Sequence, residues 1–287
     1  MPFLSILPAA RSAAWPLVMS LALAGCASES QRIDHAASAA GLSRTIVNGT
    51  SYRHVVYSNA PARAGVIPDS ASRLFVFLDG DGRPWSDDGR QPRADPTTRN
   101  ALALKLLMQT PAAGIYISRP CYQQILDAGC STASWTSARY ANDIVASIAS
   151  VVREVSTRGS FAEVVLIGYS GGGALAPLVA ERLENVAAVI TIAANLDTDA
   201  WTTYHHYLPL ADSLNPATSD RAHPWREIHL NGELDTVVPE STTAAYFSRY
   251  TAATRWPYAQ FDHVCCWAEQ WPDVFGRITM ALAGVAQ

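Results

Sequence analysis

The chain has 287 residues, 49% of them hydrophobic and 16% charged, a globular balance with enough apolar material for a large core. A domain of this size folds without help from a metal or a disulfide. The formal net charge is −4 and no long basic run occurs, which excludes the electrostatic footprint of a nucleic-acid-binding protein.

Residues 1–25 stand apart. Arg11 is the one charge before Glu29, and Ala13 to Ala24 is an apolar run of signal-peptide length, short for spanning a bilayer. The run ends in Leu23-Ala24-Gly25-Cys26, which resembles a bacterial lipobox: an apolar residue, two small residues and the cysteine that takes lipid. The resemblance implies a signal peptide over 1–25 and acyl chains such as palmitate on Cys26. Several such chains hold a protein stably to a membrane. Ser28, rather than Asp, at the second position after Cys26 is similar to lipoproteins sent to the outer membrane of the cell envelope. Residues 26–43 are rich in Ala and Ser and read as a flexible tether.

The folded domain is expected over 44–287. Ile46-Val47, then Asn48-Gly49, then Tyr52 to Tyr57 reads as a β-hairpin, because Asn-Gly supplies the positive φ angles of a tight turn. Leu74 to Leu78 is a continuous apolar run, the mark of a strand buried on both faces. Alternation follows: a helix over 100–109, a strand over 114–117, an amphipathic helix over 140–155 with Ile144, Ile148, Val151, Val152 and Val155 at helical spacing, and a strand over 164–167. A helix over 172–183, strands over 186–192 and 228–230, a helix over 244–250, a last strand over 258–261 and a closing helix over 274–282 complete the pattern. Repeated β-α units imply an α/β fold, a mainly parallel sheet with helices on both faces, whose site lies at the carboxyl ends of the strands. Residues 195–227 lack periodicity and read as an irregular insert or small cap.

Export implies an oxidising compartment. With Cys26 lipidated, Cys121, Cys130, Cys265 and Cys266 remain, which allow three pairings. Cys121–Cys130, closing a short loop, is favoured. Cys265 and Cys266 are free in that case, or else each pairs across to one cysteine of that loop in its place, since a bond between neighbours brings two Cα atoms closer than a relaxed disulfide prefers. No Cys-x-x-Cys or His-x-His spacing accompanies them, so no metal is expected.

Gly168-Tyr169-Ser170-Gly171-Gly172 falls between a strand and a helix, the context of a nucleophile elbow. A sharp turn there exposes the Ser170 hydroxyl, and Gly171 offers a backbone N–H to a developing oxyanion. A serine needs a base to take its proton. Of seven histidines, His263 follows the last predicted strand; His205, His206 and His223 lie in the irregular segment, His229 sits in a strand, and His35 and His54 come early. The acid is sought after the preceding strand, where Asp235 is followed by Thr236, Val237, Val238 and Pro239. Glu233 comes too soon after that strand, Asp197 and Asp199 follow an earlier one, and Asp262 adjoins His263 and points away from it.

The strand ending at Leu78 leads into Asp79-Gly80-Asp81-Gly82. By its place in the loop the Asp81 N–H resembles the second oxyanion donor of α/β-hydrolases, with Gly80 letting the chain turn. Asp-x-Asp-Gly is also part of a calcium loop, but the other spaced ligands and the terminal Glu are missing. Trp85, Tyr169, Trp201 and Trp267 fall at the active end and are candidates to line an acyl or aryl pocket, as are Trp135 and Trp271; any one of them equally packs a loop onto the sheet. Arg139 and Tyr140 either bind a carboxylate or start the following helix.

From about Tyr52 to Leu282 these motifs resemble the α/β-hydrolase superfamily, in particular a secreted or lipoprotein branch of it. Asp79 departs from the His-Gly that often opens the corresponding loop in relatives. The resemblance implies a Ser170–Asp235–His263 triad, hydrolysis through an acyl-enzyme without a cofactor, and a small ester or other acyl substrate. The alternatives are an envelope peptidase or transacylase of the same fold and a non-catalytic lipoprotein binding domain, since fold alone does not fix function.

Overall fold

The computed structural model describes Met1, residues 27–64 and residues 72–284. The signal peptide and Cys26 expected from sequence lie outside the described residues. Among the described residues no helix is long and apolar enough to cross a membrane.

The first finding corrects the tether. Residues Glu29–Ala39 form helix α1. Ser28 caps it: its Oγ accepts the Gln31 N–H at 3.2 Å while the Gln31 side chain accepts the Ser28 N–H at 2.9 Å. That reciprocal pair satisfies two of the donors a helix start leaves open. Ile33 and Ala37, one turn apart, are buried in the main core. The Ala/Ser-rich composition suggests flexibility, but two apolar side chains on one face dock the helix, and Asp34 on it accepts from Arg44 and from the Tyr57 hydroxyl.

Strands β1 (Ser43–Asn48) and β2 (Arg53–Ser58) form the expected antiparallel hairpin. Gly49 is needed there for proximity and not for a positive φ: a Cβ on it would lie 2.2 Å from Ser147 Oγ. Thr50 and Tyr52 donate their N–H groups to Ser150 and Ser147, which fastens the turn to the neighbouring helix.

After the short helix α2 (Ala60–Ala64) come β3 (Arg73–Leu78), α3 (Leu102–Met108), β4 (Gly114–Ile117), α4 (Asn142–Arg158), β5 (Glu163–Tyr169) and α5 (Gly171–Ala180). Then follow β6 (Val186–Ile192), α6 (Thr198–Tyr204), β7 (Arg226–Gly232), α7 (Ala244–Arg249), β8 (Thr254–Tyr258) and α8 (Trp271–Leu282). One eight-stranded sheet has the order β1-β2-β4-β3-β5-β6-β7-β8. The first two pairings are antiparallel and the rest parallel.

Alternate residues of the central strands feed two cores. Phe75, Phe77, Val165, Ile167, Ile190 and Ile192 face α1, α3 and α8. Leu74, Val76, Leu78, Val164, Leu166 and Val189 face α4 and α5. Burial on both faces is why these strands read as unbroken apolar runs.

The last strand is Thr254–Tyr258 and not 258–261. It is an edge strand carrying Pro257, and of its five residues only Trp256 is buried, so it lacks the apolar run that marks the central strands. The segment 195–227 is not wholly irregular: it holds α6 and a one-turn 3-10 helix at Pro216–Thr218. Cys121 and Cys130 are bonded, with Cα atoms 5.6 Å apart. Cys265 and Cys266 are bonded to each other, which departs from both arrangements expected for them.

Candidate active site

The candidate residues come from loops at the carboxyl ends of β3, β5, β7 and β8. Ser170 sits between β5 and α5 with φ 53° and ψ −121°, a left-handed conformation that a side chain adopts only under constraint. The constraint is the close approach of strand and helix. A Cβ on Gly168 would lie 2.2 Å from the Gly172 carbonyl oxygen, and one on Gly172 would lie 2.2 Å from that of Leu78. Gly171 is the first residue of α5, so its N–H has no acceptor within the helix.

Asp235 follows β7 and is buried. Its Oδ1 accepts the N–H groups of Val237 and Val238, each at 2.8 Å, and its Oδ2 lies 2.9 Å from His263 Nδ1. His263 Nε2 in turn lies 3.0 Å from Ser170 Oγ. An ionised carboxylate only accepts, so the imidazole proton belongs on Nδ1 and Nε2 is left to accept from the serine hydroxyl.

The acid and histidine loops are sewn together by backbone. Glu233 and Leu234 donate to the carbonyls of Tyr258 and Phe261 at 3.1 and 3.0 Å. A Cβ on Gly232 would lie 2.3 Å from the Phe261 carbonyl oxygen, so glycine is required for that approach. Asp262 turns away from the imidazole: its Oδ1 accepts the N–H groups of Val264 and Cys265 at 2.7 and 2.6 Å.

The β3 loop closes the other side. A Cβ on Gly80 would lie 3.2 Å from Ser170 Cβ, and one on Gly171 would lie 2.0 Å from Asp81 Oδ1. The Asp81 carboxylate is bound by Arg119 at Oδ1, by Arg139 at Oδ2 (2.7 Å) and by the Tyr140 hydroxyl at both, 2.8 and 2.9 Å. Burial alone would raise the Asp81 carboxyl, but the Arg139 and Arg119 guanidiniums outweigh it and hold it down at about 2. Arg139 and Tyr140 thus do bind a carboxylate, one that belongs to the protein. Asp79 is the opposite case. It is buried, its Oδ2 has no hydrogen-bond partner among the described residues, and burial pushes its carboxyl up to about 7.

The pocket candidates divide. The ring of Tyr169 lies 5.2 Å from that of His263. Trp201 donates its Nε1 to the Val237 carbonyl at 2.8 Å, and His205 Nε2 lies 2.8 Å from the same oxygen, so both sit beside the acid loop. Trp85 is half-buried and bridges to Pro92 within the loop after β3. Trp267 is not a pocket residue: it is fully buried, packed against Tyr258 and Phe261, with its Nε1 donating to the Asp262 carbonyl at 3.1 Å. Trp135 and Trp271 are likewise core residues.

Three other histidines have partners away from the triad. His54 is buried between Ser118 and Ser147. His223 and His229 meet at Glu227, together with Glu181, Trp225 and Tyr246. Among the described residues no group of His, Cys, Asp or Glu is arranged to hold a metal ion.

No protein-family model matches the chain, and no curated protein matches its sequence. Solved structures do match. An esterase of Pyrococcus furiosus aligns over 85% of this chain and 93% of its own, with a TM-score of 0.57 at 10% identity. Est1E of Butyrivibrio proteoclasticus aligns over 84% and 99%, with a TM-score of 0.57 at 12% identity. An acylaminoacyl peptidase of Pyrococcus horikoshii aligns over 84% of this chain but 41% of its own, with a TM-score of 0.55 at 9% identity. The sheet order and these likenesses define the class: the chain has the α/β-hydrolase fold.

Proposed function

We propose that the protein is a serine hydrolase that cleaves carboxylic esters through an acyl-enzyme. The observation that carries this reading is the continuous hydrogen-bonded chain from Ser170 through His263 to Asp235. A binding domain places no demand on a hydroxyl, an imidazole and a carboxylate from three distant loops meeting in that order.

His263 Nε2 takes the Ser170 proton as Oγ attacks the carbonyl carbon, and the carbonyl π pair moves onto oxygen. The N–H groups of Gly171 and Asp81 receive that oxyanion. As the pair returns, the bond to the leaving alkoxide breaks and His263 gives its proton to the departing oxygen. Water then repeats the sequence: His263 removes its proton, the hydroxide oxygen bonds to the acyl carbon, and Ser170 leaves reprotonated. Asp235 keeps the imidazole in the required tautomer and balances its charge.

Ser170→Ala tests this. Hydrolysis of short p-nitrophenyl esters by the purified protein should fall to background in the variant. Undiminished turnover would overturn the reading. The likeness to the acylaminoacyl peptidase supports a peptidase reading, and a panel pairing each ester with its aminoacyl amide separates the two.

For placement, the apolar run ending in Leu23-Ala24-Gly25-Cys26 supports lipid anchoring in a bacterial envelope, at the outer membrane. A clickable palmitate analogue should label the full chain in a bacterial host, and Cys26→Ser should abolish the label.

A further inference from the structure

The loop after β3 carries a buried ionic cluster that the triad does not use. Asp81 has three oxygens, and each is occupied. Arg119 and Tyr140 bind Oδ1, Arg139 and Tyr140 bind Oδ2, and the Tyr122 hydroxyl donates to the backbone carbonyl at 2.7 Å. The guanidiniums are braced as well. Arg119 also donates to the Arg139 carbonyl at 2.6 Å, and Arg139 Nε donates to the Thr136 carbonyl at 2.8 Å. Their side chains are only 4% and 6% exposed, so neither is open to a substrate.

Such a cluster is a poor source of stability, because taking its charges out of water costs about as much as their attraction returns. Its place beside the nucleophile suggests another use. The Asp81 carboxylate lies against Gly171, where a Cβ would come within 2.0 Å of Oδ1. With its side chain and its own carbonyl pinned on separate partners, the Asp81 Cα is fixed, which places its backbone nitrogen, and the Gly80 N–H on the near side is held by Asp79 Oδ1 at 2.9 Å, so the peptide between Gly80 and Asp81 is restrained at both ends. Its N–H is the group assigned to the oxyanion.

We propose that Arg119 and Arg139 are positioning residues that act through Asp81, fixing the Gly80–Asp81 peptide so that its N–H is aimed before substrate arrives. Preorganised donors stabilise a transition state because they need not reorient as charge develops. The two cations also outnumber the one carboxylate, so the carboxylate touching Gly171 does not repel the oxyanion. The inference rests on the hydrolase reading above.

Arg119→Lys separates aim from charge, since it keeps the cation but cannot reach Asp81 and the Arg139 carbonyl together. With a soluble ester, kcat should fall by about tenfold or more while KM stays within about twofold. Affinity for a boronic acid, which forms a tetrahedral adduct on the serine, should fall by the same factor as kcat. A variant with kcat and boronate affinity both within about twofold of wild type would overturn the proposal, as would a lower kcat with undiminished boronate affinity. Asp81→Asn, which loosens the same clamp from its centre, is read by the same pair of measurements should the lysine variant not fold. An active wild type with an unimpaired variant removes this inference alone. A wild type without Ser170-dependent turnover removes the hydrolase reading and the inference with it.

Discussion

Ser170 Oγ and His263 Nε2 lie 3.0 Å apart although 93 residues separate them in the chain. The contact exists because β5 and β8 belong to the parallel part of one sheet, where the carboxyl ends of the strands open on the same edge. The acid is held to the pair by a carboxylate with both oxygens engaged: one oxygen takes two backbone N–H groups and the other takes the imidazole.

Asp235→Asn keeps the shape and removes the charge. An amide nitrogen facing Nδ1 favours the wrong imidazole tautomer, so kcat for ester hydrolysis should drop by about 10³–10⁴-fold. Steady-state kinetics with a p-nitrophenyl ester measures this, and a loss below about tenfold would mean the carboxylate is not needed in its charged form.

Gly171→Ala should be severe for a steric reason. The new methyl would sit 2.0 Å from Asp81 Oδ1 and 2.6 Å from the Tyr140 hydroxyl, both held in a rigid cluster. The expected outcome is loss of turnover together with a lower melting temperature, checked by activity assay and circular dichroism on one preparation.

Asp79 yields a pH-dependent stability difference. Burial raises its carboxyl from 3.8 to about 7, so the folded chain holds the proton more tightly than the unfolded one. Stability therefore declines as pH rises from about 4 to about 7 and levels off above that. Asp79→Asn has nothing to titrate and can keep the acceptor for the Gly80 N–H. Its unfolding free energy relative to wild type should improve across that window, by about 4 kcal/mol at most. Urea unfolding at pH 4, 6 and 8 reads the difference, and a gap that does not change with pH would contradict the assignment.

The Glu227 cluster should shape stability at both ends of the pH scale. Burial disfavours charge on His223, but its hydrogen bonds to Glu181 and Glu227 outweigh burial and raise its pKa. The contribution of protonated His223 is fully present below about 6.5 and is lost as pH rises through the higher folded value. Glu227 runs the other way. Burial pushes it up, yet hydrogen bonds from His223 and His229 bring it down to about 2, so its contribution holds above about 4.5 and is lost towards pH 2. Tyr246, Tyr250, Trp225 and His229 complete the surroundings. His223→Gln should flatten the alkaline decline in melting temperature, and an unchanged slope would contradict this role.

The parts of this molecule legible in the sequence are those with a local signature. Strands buried on both faces show as apolar runs, and a glycine-flanked serine between strand and helix shows as a turn that leaves no room for a Cβ at Gly168, Gly171 or Gly172. What the sequence hides is made by convergence. Arg119, Arg139 and Asp81 are 20 to 58 residues apart and meet only in the folded chain. The Val237 and Val238 N–H groups that hold Asp235 carry no residue identity at all. Local composition also misleads: Ile33 and Ala37 dock a helix that the Ala/Ser-rich segment disguises, and Trp267 beside the histidine loop fills the core instead of a pocket. Strand β8 escapes because an edge strand with one buried residue has no period to read.

The most direct test of the central claim is where a fluorophosphonate attaches. The purified protein should gain the mass of one adduct, peptide mapping should place it on Ser170, and both His263→Ala and Ser170→Ala should prevent the gain. An adduct on another residue, or one that forms equally fast in the Ser170→Ala variant, would contradict the claim.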